Sequence, residues 1–349
     1  MRQIKLGNRY IGENHDCFIV AELSANHNQD INRAKDIIRK AKECGADAVK
    51  LQTYTPDTLT IDCDNDCFKV SSDNNWDGKT LYQLYGEAYT PWEWHKELFK
   101  VAQDEGLVCF STPFDQTAID LLEELGNPIY KVASFELVDI SLLEAIGQTG
   151  KPVIMSTGMA DLSEIDLAVK TLRKAGCEEL ALLKCTSAYP APPESMNLKT
   201  IPHLSNTFKV VAGLSDHTLG SAVPVAAVSL GAKIIEKHFT LDRNDGGVDS
   251  FFSLEPDEFS KMVADIRIVE KALGSVSYTR SEKEQKNLCF RRSLFAVRDI
   301  KAGEAISLQS VRSIRPGYGL SPKFIDLVTS KKAAKDIKRG SAITWELIG

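Results

Sequence analysis

The feature that most restricts the fold is a rhythm of eight short apolar runs, each followed by a segment long enough for a helix. The runs are Cys17–Ser24, Ala46–Thr53, Leu107–Pro113, Ile129–Ser134, Pro152–Gly158, Leu180–Ser187, Val210–His217 and Lys233–Thr240. Runs this continuous suit strands buried on both faces, as parallel strands between helices are. Eight strand–helix units close a (β/α)8 barrel, so the spacing predicts a TIM barrel. Its last helix is predicted at about 255–273.

One insertion breaks the rhythm. Tyr54–Tyr89 is polar and aromatic, and a rigid sheet does not need it; such segments form lids or substrate-facing loops. Thr90-Pro-Trp-Glu-Trp-His then predicts a helix start, with Thr90 as N-cap and Pro91 in the first turn. After Leu273 the hydrophobic period is lost. We expect a barrel domain over 1–280, a linker over 281–289 and a small module over 290–349. Short strands are predicted at Arg292–Val297 and Ala342–Trp345, with turns at Lys301-Ala-Gly and Lys338-Arg-Gly. A module of about 60 residues has a marginal core, so it is expected to dock on a barrel.

The 349 residues carry a net charge of −6. That gives no global attraction to nucleic acid or to an anionic membrane, so an anionic ligand needs a local basic cluster. No apolar run reaches membrane-spanning length, and the first residues lack a signal-peptide core. The eight cysteines are scattered. Cys17, Cys109 and Cys185 fall inside predicted strands, where buried thiols are common, and Cys63 with Cys67 lacks a second zinc-site pair. A reduced, cytoplasmic protein is the expectation.

In a barrel of this kind the active site lies at the carboxyl ends of the strands. Those ends supply Glu22, Lys50, Gln52, Thr112, Lys131, Ser134, Glu136, Ser156, Thr157, Thr186, Ser187, Ser215, His217, Glu236 and His238. His217 and His238 end consecutive runs and would stand side by side, as a two-imidazole metal site requires. Lys50 and Lys131 lie inside strands, where an ammonium needs an anion: Glu22 or Glu136 as a structural partner, or a phosphate or carboxylate ligand. Neither Gly-x-x-x-x-Gly-Lys-[Ser/Thr] nor Gly-x-Gly-x-x-Gly occurs, which disfavours nucleotides. Two enzyme chemistries suit this set. One is carbon–carbon bond formation at a metal-polarised carbonyl, with Glu22 or Glu136 for proton transfer. The other is a Schiff-base aldolase using Lys131 or Lys50. A non-catalytic carbohydrate-binding protein that works through the C-terminal module is a third reading.

At these residues the sequence resembles the sialic acid synthase family of nonulosonate synthases. The resemblance is carried by Ala21-Glu-Leu-Ser-Ala-Asn-His, Val49-Lys-Leu-Gln-Thr, Tyr130-Lys-Val-Ala-Ser-Phe-Glu, Ser156-Thr-Gly-Met, Gly213-Leu-Ser-Asp-His-Thr and Glu236-Lys-His-Phe-Thr. The tail from Arg291-Arg-Ser-Leu through Arg315-Pro-Gly-Tyr-Gly is similar to that family's antifreeze-protein-like (SAF-type) domain. The resemblance implies a transferase that condenses phosphoenolpyruvate with an acylamino aldose, aided by a divalent metal (Mn2+, Mg2+ or Co2+). It implies that Lys50, Thr112, Lys131, Ser134, Ser156, Ser187 and Ser215 hold phosphoenolpyruvate and that His217 and His238 ligate the metal. Gln52, Tyr189, Asp249 and Phe135 would face the sugar. Glu136, with Glu22 and Lys131, would handle protons. It also implies a homodimer with swapped C-terminal domains, Arg315 completing the neighbour's site.

Within the family, Leu81-Tyr-Gln-Leu-Tyr, Ala133-Ser-Phe-Glu and Gly246-Gly-Val-Asp-Ser-Phe-Phe resemble the pseudaminic acid branch. That branch implies a 2,4-diacetamido-2,4,6-trideoxy hexose, whose methyl group calls for an apolar contact from Phe135 or the Trp92/Trp94 region; the alternative within the family is the same reaction on another acylamino aldose, as in a legionaminic or N-acetylneuraminic acid synthase. Ser187 stands where sialic synthases commonly have Asn.

Overall fold

The computed structural model describes residues 3–6, 9–71 and 76–349; residues 72–75 of the insertion lie outside the described residues. The chain divides into two compact units, Met1–Gly274 and Ser275–Gly349.

The first unit begins with an antiparallel hairpin, β1 (Gln3–Leu6) and β2 (Arg9–Gly12), which the sequence rhythm does not announce. Next come β3 (Phe18–Glu22), α1 (Ile31–Glu43) and β4 (Ala48–Thr53). The insertion holds α2 (Pro56–Leu59) and α3 (Leu81–Ala88), and α4 (His95–Asp104) follows it. The rest alternates regularly: β5 (Val108–Pro113), α5 (Gln116–Glu124), β6 (Tyr130–Val132), α6 (Ile140–Gln148), β7 (Val153–Ser156), α7 (Leu162–Ala175), β8 (Leu180–Cys185), α8 (Thr200–Phe208), β9 (Val211–Asp216), α9 (Ala222–Ser229), β10 (Ile234–His238) and α10 (Pro256–Leu273). Strands β3 to β10 form a closed parallel barrel in which β10 pairs with β3. This is the (β/α)8 fold that the eight apolar runs predict.

The period of two along each strand sorts its side chains. Ile19 and Ala21 of β3, with Leu23 just beyond it, face the helices, whereas Phe18, Val20 and Ala48 pack in the barrel with Phe110, Ile154, Ala181, Leu183 and Ile234. Ile4, Leu6 and Ile11 of the hairpin join that interior cluster, which seals the amino ends of the strands. Toward the carboxyl ends the inward positions turn polar. Gly213 is required inside: a Cβ there would meet the Ile234 carbonyl and Leu183.

Thr90 does not cap a helix. Its hydroxyl is taken by His27 Nε2 at 3.2 Å, and the helical stretch opens with a 3-10 turn at Trp92–Trp94 whose N-cap is Pro91.

The second unit has α11 (Glu282–Lys286), β11 (Ser293–Ala296), β12 (Val311–Ile314) and α12 (Ile325–Thr329). Its core gathers Leu294, Ala296, Ile300, Ile306, Val311, Val328, Ile337 and Ile343. Two expectations need correction. Part of the polar stretch read as linker is helical, because Ser281 and Glu284 make a reciprocal capping box. Ala342–Trp345 is no strand; Ala342 makes a single bridge to Phe295, and a 3-10 turn at Trp345–Leu347 ends it.

Candidate active site

The barrel mouth holds a cavity of about 550 Å³. Lys50, Gln52, Lys131, Ser134, Phe135, Glu136, Ser156, Tyr189, Ser215, His217, His238 and Asp249, expected from the strand ends and the loops beyond, all line it. Phe135 is 58% exposed, which puts its ring at the rim.

The floor is a buried cluster of charge. Lys50 Nζ lies 3.0 Å from Glu22 Oε2 and 2.9 Å from Glu236 Oε1. Lys131 Nζ donates to Ser156 Oγ at 2.7 Å and to the Val132 carbonyl at 3.0 Å, and stands 3.8 Å from the same Glu236 oxygen. Ser215 donates to that oxygen as well, at 3.1 Å. Glu236 therefore anchors both lysines. Burial alone would raise Glu236, but Lys131 and Lys50 outweigh it and hold its carboxyl at about 2. Glu22 is pushed the other way, chiefly by burial. Lys50 is held above the usual lysine range because Glu22 and Glu236 overcome its desolvation. Burial brings Lys131 down to about 8 against the pull of Glu236. When Glu22 takes its proton, the cluster keeps surplus positive charge and suits an added anion.

The hydroxyls complete this anion site. Ser134 Oγ accepts from the Gly158 amide at 3.0 Å. Ser187 Oγ is buried without a hydrogen-bond partner and lies against Gly158. Thr112 Oγ1 is also buried and unpartnered, on β5 in register with Gln52. Neither Ser187 nor Thr112 contributes to the cavity lining, whereas the other serines do.

His217 and His238 stand beside this floor with ring centroids 5.3 Å apart. His217 Nδ1 is 2.9 Å from the Thr186 carbonyl, to which it donates, so Nε2 is the nitrogen left for a ligand. His238 Nδ1 is buried with no partner. Burial, reinforced by His217 and the lysines, keeps the His238 ring neutral, the form that binds metal. Among the described residues no group of three or more His, Cys, Asp or Glu side chains forms a metal cage. Two imidazoles that line the cavity, one with an orphaned buried nitrogen, are the groups that would hold a divalent ion. Glu136 has an unpartnered buried oxygen, and burial raises its carboxyl to about 7.

On the sugar side, Gln52 Nε2 donates to Glu22 Oε1 at 3.0 Å and to Ser24 Oγ at 3.1 Å, and Ser24 donates to Asp249. Tyr189 packs on the His217 ring at 4.4 Å. The structure does not bring Trp92 or Trp94 to the cavity. Trp92 Nε1 donates to the Tyr54 carbonyl, and Trp94 packs edge-on against His27. The apolar lining comes instead from Tyr54, Trp76, Leu84, Tyr85, Phe114 and Phe252. Glu236 and Trp76 are the residues the sequence reading underweighted. The signal for Glu236 was there: it precedes His238 by two residues and so shares its face. Arg315 is exposed on the second unit.

The model of the NeuB family matches residues 37–278, and that of the SAF domain matches residues 291–348. The chain is 47% identical to a pseudaminic acid synthase of Campylobacter jejuni, covering 93% of this chain and 95% of that protein. It is 36% identical to an N,N'-diacetyllegionaminic acid synthase of Legionella pneumophila, over 97% of this chain and 96% of that protein. A solved N-acetylneuraminic acid synthetase of Leptospira borgpetersenii, in complex with citrate, superposes with a TM-score of 0.72 at 34% identity, covering 82% of this chain and 95% of that one.

Proposed function

The chain belongs to the NeuB family, and from that premise we propose that it condenses phosphoenolpyruvate with 2,4-diacetamido-2,4,6-trideoxy-L-altrose and water, giving pseudaminic acid and phosphate. The observation that carries the reading is the meeting of Lys50 and Lys131 on Glu236 in the cavity that also holds His217 and His238. The choice of sugar rests on the higher identity to a pseudaminic than to a legionaminic acid synthase.

In this reading Lys50, Lys131, Ser134, Ser156 and Ser215 bind the phosphate and carboxylate of phosphoenolpyruvate, with Thr112 and Ser187 behind them. Gln52, Tyr189, Asp249 and Phe135 orient the open-chain sugar. His217 and His238 would hold a divalent ion (Mn2+, Mg2+ or Co2+), which when bound supplies a Lewis acid to the sugar aldehyde. The C3 carbon of phosphoenolpyruvate forms a bond to the aldehyde carbon as the C=O π pair moves to its oxygen, which takes up a proton to become the new hydroxyl, and water adds at C2. Glu136 accepts the proton of that water, with Glu22 close by on Lys50. Cleavage of the C2–O bond then expels phosphate. The working unit is a homodimer in the cytoplasm, the C-terminal unit of each protomer covering its partner's barrel and Arg315 reaching the anion there.

A Schiff-base aldolase would need Lys131 neutral. The geometry favours a cation: Lys131 Nζ donates to Ser156 Oγ and to the Val132 carbonyl and stands 3.8 Å from Glu236, and Lys50 is paired with both Glu22 and Glu236.

The test is mass spectrometry of the products formed from phosphoenolpyruvate and a panel of acylamino aldoses, with and without chelator. The expected product is the 5,7-diacetamido nonulosonic acid, formed only with metal. Turnover of other aldoses but not the 2,4-diacetamido-6-deoxy sugar, or full turnover in chelator, overturns it. His217→Ala and His238→Ala should each lower Mn2+ affinity, read by calorimetry, in a folded barrel.

A further inference from the structure

The cavity has two unlike walls. One is the charged floor of strand ends. The other is contributed by the insertion that breaks the barrel rhythm, through Leu59, Trp76, Leu81, Leu84 and Tyr85. This second wall is built rather than loosely draped. Helix α3, which carries three of these residues, opens with a reciprocal capping box between Thr80 and Gln83. Leu84 is buried, and Tyr85 packs edge-on against Tyr54 at 5.7 Å, which packs in turn against Phe114 at 5.1 Å. Trp76 Nε1 donates to the Val248 carbonyl at 3.1 Å, and its ring lies 5.7 Å from Tyr189, the residue that packs on His217.

Such a wall has no use for phosphoenolpyruvate, whose two anionic groups are matched by the floor. Against a fully hydroxylated sugar it would leave hydroxyl groups desolvated and unpaired. It suits a sugar whose far end carries methyl groups in place of hydroxyls.

We propose that Leu81, Leu84 and Tyr85 of α3, with Trp76, form the pocket that receives the methyl-bearing end of the sugar and selects 6-deoxy, acetamido substrates over hydroxylated ones. The inference rests on the condensation reading of the same cavity and assigns its specificity to the insertion. A hydrophobic pocket discriminates a single small group only modestly, so the effect expected is one of preference.

The experiment compares kcat/KM for an acylamino 6-deoxy aldose and its 6-hydroxy counterpart in the full-length enzyme, for wild type, Leu81→Asn and Ala88→Ser, Ala88 being the last residue of α3 and a further part of the cavity lining. Both substitutions add polarity on α3, and the second is small enough to leave the helix intact. The preference for the 6-deoxy sugar should fall about tenfold in Leu81→Asn and by a smaller factor in Ala88→Ser, with the KM for phosphoenolpyruvate unchanged. A preference that stays at the wild-type value in both variants overturns the inference. Failure of the condensation reading would show differently, as wild-type enzyme that consumes no phosphoenolpyruvate with any acylamino aldose; this also overturns the inference.

Discussion

Lys237 and Asp216 form an ion pair 2.5 Å long that is sealed from solvent on both sides, one residue before His238 and His217 respectively. The lysine also donates to the Thr218 carbonyl, and the Thr218 amide donates to Asp216 Oδ1 at 3.0 Å. By the alternation of a strand, a pair facing the helices sits behind two rings facing the cavity.

Removing one partner leaves a buried charge uncompensated. Lys237→Met should destabilise the barrel by about 3–5 kcal/mol, and the double variant with Asp216→Asn by less. Urea denaturation measures both. A double variant no more stable than Lys237→Met would show that the stranded carboxylate is not the cause.

Gly158 leaves room for two serines. A Cβ there would run into the hydroxyls of Ser187 and Ser134. Gly158→Ala should raise the KM for phosphoenolpyruvate about tenfold to a hundredfold, the worth of one hydrogen bond to a charged group, with the melting temperature little changed. Steady-state kinetics with the aldose saturating decide it.

Burial raises the Glu136 carboxyl to about 7. A group that accepts a proton must be ionised, so kcat should climb as pH rises through about 7 and level off above it. Glu136→Gln should remove that limb and cut kcat by about 100- to 10,000-fold. An unaltered pH profile in the variant would reassign the proton transfer.

His27 and His95 are buried beside the barrel, and desolvation lowers each from 6.5 to about 4. His27 contacts Thr90, and His95 contacts Thr53 Oγ1 at 2.8 Å. Because the folded pKa lies below the unfolded one, the unfolded chain binds more protons between pH 6.5 and 4. Their contribution is therefore complete above pH 6.5 and is lost as pH falls toward 4, by about 3 kcal/mol for each ring. Thermal melts across that range should show the decline, and His95→Gln should reduce it by about half.

If Arg315 completes the partner's site, two inactive proteins should restore each other. Lys131→Ala spoils the barrel and Arg315→Ala spoils the C-terminal unit, so a mixed dimer keeps one intact site. Refolding an equal mixture should recover up to about a quarter of wild-type turnover, since half the dimers are mixed and half their sites are whole. No recovery would place Arg315 on its own barrel or outside the site.

Much of the site is legible in the sequence. The two histidines end consecutive apolar runs, and Lys50 and Lys131 interrupt otherwise apolar strands, which marks them as charges in need of partners. Thr90 misled because its cap-like setting resembles any helix start, while its hydroxyl is committed to His27, 63 residues earlier in the chain. Trp92 and Trp94 were expected at the sugar and Trp76 was not, since composition does not say which tryptophan of an aromatic segment turns inward.

The sequence by itself determined the barrel and the end of it that does chemistry. Burial on both faces demands continuous apolar runs, and an alternation of two fixes which residues share a face. Only the tertiary structure decided which polar groups meet. Closing the barrel joins its last strand to its first, so that His238 lies in register with Glu22, and Lys50 reaches Glu236 across 186 residues of chain. No local pattern encodes those partners, because they are chosen by closure and by the packing of the insertion over the mouth.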